Sequence, residues 1–231
     1  MDEILSWLKQ LEFFSLLDMV LLAAASVLSI TIHEASHGVV ALWLGDDTAR
    51  RQGRLSLNPL HHIDPIGLLL MVVVRFGWAK PVPIDARRFR NPRFGMALTA
   101  LAGPMSNILI ALLALLCRVV LLAVVSFNSM GTIFHGFRTF LEYVIVISSG
   151  LAVFNLFPIP PLDGSKVLFA VLPDRWYIQL LRYERHGVLV LAILLLTNIL
   201  DVPLLYLRGV LVDGLQTLTD SVFYYIANHL V

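Results

Sequence analysis

The sequence predicts an all-α polytopic membrane protein: a bundle of about four to six transmembrane helices, with a short re-entrant or β-hairpin segment between the first two core helices. Three observations predict it. Of the 231 residues, 58% are hydrophobic and 14% charged, with a mean hydropathy of +0.81; a soluble domain carries about a quarter charged residues. Apolar runs of bilayer length recur, at about 16–44, 96–118, 140–172 and 187–207. Nine of the seventeen Lys and Arg fall between Gly45 and Gly95, which marks that stretch as cytoplasmic.

The same composition narrows the function. The single Cys117 rules out an internal disulfide and a cysteine metal cage. Basic residues flank apolar runs without interleaved aromatics, so nucleic acid is not an expected partner. The N-terminus is acidic, and the apolar run continues through Ala23–Ser26, which argues against a cleaved signal peptide. With no internal repeats, residues 1–231 read as a single membrane domain whose surroundings are the lipid bilayer.

Taken in order, residues 1–15 read as an amphipathic lead-in at the interface. The first span, Leu16–Leu44, holds Asp18, His33, Glu34 and His37 as its only ionisable side chains and stops at Gly45-Asp46-Asp47. Gly67–Ala79 is apolar but too short to span, contains Arg75, and leads into Lys80-Pro81-Val82-Pro83. The segment at about 67–80 is therefore expected to dip into the membrane as extended or hairpin backbone covered by protein. Met96–Cys117 is a second span, with Arg118 placed to snorkel at its far end. A third run starts at Phe140 and breaks within Asn155–Gly164, where Pro158, Pro160 and Pro161 cannot continue a helix. Lys166, Arg175, Arg182 and Arg185 mark the return to the cytoplasmic side, and Gly187–Leu207 is a fourth span with Asn198 and Asp201 near its outer end. The tail from Gly209 has helical spacing interrupted by Asp213 and Asp220, so it either spans or lies on the surface.

The chemistry concentrates in His33-Glu34-Ala35-Ser36-His37. Residues four apart share a helix face, so His33 and His37 can address one metal ion. Glu34 lies about 100° round the helix, beside that site, where it can take a proton from a bound water. Ionisable groups in an apolar span are costly and mark function. A catalytic zinc usually takes a third protein ligand. At about 1.5 Å per residue, His33 and Asn107 lie roughly 16 and 18 Å from the cytoplasmic ends of their spans, and the third span, entering from outside, reaches the proline break before Asp163 near that level after roughly 25 Å. Asp163, freed by its flanking proline and glycine residues, is the best third ligand. His61, His62, His135, His186 and His229 sit at or near the interfaces instead.

Together, HEASH at 33–37, GRLSLNPLHHIDPIG at 53–67, GWAKPVP at 77–83, AGPMSN at 102–107 and NLFPIPPLDG at 155–164 closely resemble the site-2 protease family of intramembrane zinc metalloproteases. The resemblance covers most of the chain and implies a minimal member without PDZ or CBS domains. It implies one Zn²⁺ per chain on His33, His37 and Asp163, with Glu34 activating the water. It also implies that Asn107, and similarly Asn155, contacts the substrate or the tetrahedral intermediate. The substrate would be a transmembrane protein, cut within or next to its membrane segment. A helical substrate must unwind before attack, and residues Leu69 to Arg75, Val73, Val74 and Arg75 among them, are expected to pair with the unwound strand. The expected location is a prokaryotic plasma membrane, with the active site nearer the cytoplasmic side. A non-proteolytic metal-binding transporter or receptor would use the same ligands, but would tolerate the loss of Glu34.

Overall fold

A computed structural model describes residues 16–62, 64, 80–124, 131–173 and 186–229, and no strand occurs among them. Seven α-helices are described: α1 (Leu16–Trp43), α2 (Thr48–Arg51), α3 (Pro92–Val124), α4 (Thr132–Leu156), α5 (Asp163–Val171), α6 (His186–Leu196) and α7 (Asp201–His229). By length and composition α1, α3 and α4 can each cross a membrane. The hairpin expected at about 67–80 lies, apart from Lys80, outside the described residues.

Local chemistry sets the ends of these helices. Helix α1 closes in a Schellman motif: Gly45 at φ +103° donates to Leu42 O, and Asp46 N–H donates to Ala41 O. Asn91 caps α3, its side chain accepting from Phe94 N–H at 3.2 Å, and Pro92 occupies the first helical position, where no donor is needed. Helix α4 stops at Phe157, ahead of the prolines, and α5 begins at Asp163. The α4–α5 junction is tight. A Cβ on Gly164 would lie 2.1 Å from Leu156 O, so only glycine lets α5 start against the end of α4. Arg93, near the start of α3, donates to Phe169 O and Leu172 O at the far end of α5.

Small side chains bring the long helices together. Ala25, Ala111, Ala114, Leu115, Leu141, Val144 and Ile145 form one buried cluster with Leu215, the close packing expected where lipid offers no hydrophobic drive. Ser29 of α1 and Ser148 of α4 share a 2.8 Å hydrogen bond across that interface. The expected fourth span, 187–207, is not one helix. Helices α6 and α7 meet at 88° through a turn in which Asn198 adopts φ +56°. Asparagine tolerates this left-handed conformation, so a residue read as a polar group near a helix end is in fact the bend.

On the loop side, Asp46 joins the end of α1 to the segment at 80–88. Its carboxylate accepts from Thr48 Oγ1 at 2.5 Å, Thr48 N–H at 3.0 Å and Asp85 N–H at 2.7 Å, with Arg88 Nε 3.8 Å away. Burial pushes this carboxyl up, but Thr48, Asp85 and Arg88 together hold it below its ordinary value. A carboxyl lowered by folding stabilises above its unfolded pKa, and that contribution is lost as pH falls through the folded value. Asp46→Asn is therefore expected to lower stability by about 1–3 kcal/mol at neutral pH. The gap to wild type should close as pH falls through the lowered folded-state value, as thermal unfolding in detergent at several pH values would reveal.

Candidate metal centre

His33 and His37 lie one turn apart on α1, and both are buried. Asp163, the first residue of α5, comes from the far side of the proline break and is buried with them. The two Nε2 atoms are 3.1 Å apart, and Asp163 Oδ2 is 3.2 Å from one and 3.3 Å from the other. Bonds of about 2.05 Å to a tetrahedral zinc require ligand atoms about 3.3 Å apart. This donor set therefore fits such an ion, and among the described residues it is the one group of three or more His, Cys, Asp or Glu arranged to hold a metal.

Each candidate ligand has a second contact. His37 Nδ1–H donates to Thr99 O at 2.7 Å, which leaves Nε2 a bare lone pair. His33 Nδ1 lies 3.1 Å from Asn107 Nδ2. Lys166 Nζ lies 3.8 Å from Asp163 Oδ1, the oxygen turned away from the histidines. Beneath the pair, a Cβ on Gly103 would lie 2.5 Å from His33 Cε1 and 2.6 Å from His37 Cε1. Helix α3 thus approaches the rings as closely as a backbone can.

Glu34 shares a cavity of about 180 Å³ with His33, His37 and Asp163. Its Oε2 accepts the Val82 N–H at 3.1 Å, so the Lys80–Pro83 stretch lies against the carboxylate. Arg54 holds that stretch in turn, donating to Lys80 O at 2.8 Å and Pro81 O at 3.2 Å. Asn155 also lines the cavity, with one amide hydrogen given to Leu151 O. Asn107 does not line it. This residue is wholly buried behind His33, so the two asparagines expected to act alike occupy different positions. Val73, Val74 and Arg75 lie outside the described residues.

Thr99, Gly103, Val82 and Lys166 escaped the sequence reading as site residues. The spacing could have exposed two of them. Thr99, Gly103 and Asn107 stand four apart, so they form one stripe of α3 turned toward the histidines. Lys166 counted only as a charge marking the cytoplasmic side, and no local signal joins Val82 to Glu34. His62, expected near an interface, is almost fully buried and donates from Nε2 to Ser56 O at 2.7 Å.

Apolar helices of bilayer length, with an HExxH pair and a distant aspartate converging on one point, define a membrane-embedded metallohydrolase. Comparison with known proteins agrees. The model of peptidase family M50 matches residues 119–197, a stretch that includes Asp163 but not the histidine pair. YwhC of Bacillus subtilis (strain 168), named as a candidate zinc metalloprotease, is 37% identical over 171 residues, covering 74% of this chain and 78% of that protein. Rip2 of Mycolicibacterium smegmatis, named in the same way, is 28% identical over 187 residues, 79% of this chain and 69% of its own length. Rip2 of Mycobacterium tuberculosis (strain H37Rv) is 27% identical over 153 residues, 64% of this chain and 56% of its own. No solved structure matches the chain significantly. The chain belongs to peptidase family M50, the site-2 protease family, and is a metalloendopeptidase and an integral membrane protein.

Proposed function

We propose that this protein hydrolyses a peptide bond within or next to the transmembrane segment of a membrane-protein substrate. One observation carries the reading: the His33–His37–Asp163 cluster opens, together with Glu34, into a single cavity among lipid-length helices. The cofactor is zinc, held by His33, His37 and Asp163. When bound, zinc supplies a Lewis acid that lowers the pKa of a water to about 7.

The chain's own groups do the rest. Glu34 removes a proton from the attacking water and returns it to the leaving amine. The Val82 N–H keeps one carboxylate oxygen oriented, which leaves the other to face the water. Asn155 and Lys166 line the same cavity and are side-chain donors that could meet a substrate carbonyl as it gains charge. An unwound substrate strand would lie along the segment that includes Val73, Val74 and Arg75. The basic residues between Gly45 and Gly95 support an orientation with the site nearer the cytoplasm, and the bacterial relatives support a prokaryotic plasma membrane.

Reconstitution into liposomes with a panel of single-span peptides tests this. Cleavage is expected at a bond in or beside the span, to stop on treatment with a zinc chelator, and to return when zinc is restored. Stoichiometric metal with no cleavage of any peptide would point instead to a metal-binding transporter or receptor.

A further inference from the structure

We infer that Asn107 is a positioning residue that holds the His33 ring for the metal, and that its side-chain oxygen, not its nitrogen, faces that ring and accepts its Nδ1–H when metal is held. The inference rests on the metal-centre reading above and concerns the two histidines' outer nitrogens. His37 is already set. Its Nδ1–H has a carbonyl to donate to, at Thr99, so its Nε2 is free for a metal. His33 meets an amide that can present either end. In the structure the Asn107 NH₂ lies 3.1 Å from His33 Nδ1, and Asn107 Oδ1 is buried without a hydrogen-bond partner.

That arrangement suits an imidazole whose proton sits on Nε2, where it can be given to Asp163 Oδ2 at 3.2 Å. A metal requires the Nε2 lone pair, so the neutral ring must carry its proton on Nδ1. Two N–H groups would then face each other. Turning the amide by 180° about Cβ–Cγ exchanges the oxygen and nitrogen positions, so that Nδ1–H donates to Oδ1. The orphaned oxygen is the acceptor that the ring needs. Both histidines then end on a carbonyl of α3, from the backbone at Thr99 and from the side chain at Asn107, eight residues or about two turns further on.

The test compares wild type with Asn107→Asp, Asn107→Leu and His33→Ala in detergent, with folding checked by thermal unfolding. Metal affinity is read by zinc competition against a chelator, and the His33 tautomer by ¹⁵N spectra of histidine-labelled protein. Asp keeps an oxygen acceptor and is expected to hold zinc within a few-fold of wild type, with His33 protonated on Nδ1. Leu, of similar size but without an acceptor, is expected to weaken zinc by about 10–100-fold. Wild-type affinity in Asn107→Leu, or zinc held no better by Asn107→Asp than by Asn107→Leu, would overturn the inference. If Asn107→Leu fails to fold, the Asp variant still decides it, since zinc weakened more than about 10-fold there would overturn the inference. Failure of the metal-centre reading looks different: wild type would bind zinc no better than His33→Ala.

Discussion

Replacing Glu34 by glutamine is expected to lower peptide-bond turnover by about 10²–10⁴-fold while leaving the bound zinc in place. Three side chains converge on the metal position, and Glu34 is not among them. The amide oxygen of glutamine can still accept from Val82 N–H, so the loop over the site keeps its contact. What is lost is basicity, since an amide cannot take the proton that the attacking water must release. Single-turnover cleavage of a reconstituted peptide, with zinc content measured on the same preparation, checks both halves. Loss of activity with loss of zinc would make Glu34 a structural or ligating residue. Unchanged activity would remove it from the chemistry.

A single methyl group at Gly103 is expected to dismantle the same centre from behind. Its carbon would lie within about 2.6 Å of both imidazoles, closer than non-bonded atoms tolerate. The rings are pinned on their other edges by Thr99 and Asp163, so they cannot swing away without giving up those contacts. Relief must come from separating α1 and α3. Overpacking of this kind costs about 1–3 kcal/mol, and displaced ligands weaken metal by at least about 10-fold. Gly103→Ala should therefore fold with a lowered thermal midpoint and a sharply raised zinc dissociation constant. Wild-type zinc affinity in this variant would mean that the two helices are not held at this spacing. Gly150, where a Cβ meets nothing within 4 Å, is the matched control.

Much of this was legible in the residues because bilayers restrict what a sequence can mean. Long apolar runs that must satisfy their own backbone can only be helices here. A histidine pair at helical spacing has one plausible use in such a setting, and three prolines in four residues forced the break that frees Asp163. The misses have physical causes. Asn107 and Asn155 look alike in sequence, but their facing depends on helix rotation, which depth arithmetic ignores. Asn198 read as a polar residue in a span because a side chain that tolerates positive φ gives no sign of whether the backbone uses it. The Val82 N–H donor is a main-chain group, and no side-chain pattern reports where a loop's backbone will lie.

The seat of α5 against the end of α4, made possible by Gly164, has a consequence for biogenesis. A nascent chain still emerging from the ribosome can insert the histidine-bearing helix long before the aspartate has been translated. Until α4 has entered the bilayer and α5 has docked on its end, such a chain carries two of the three clustered donors. The three-donor cluster is therefore complete only once α4 and α5 are both in place.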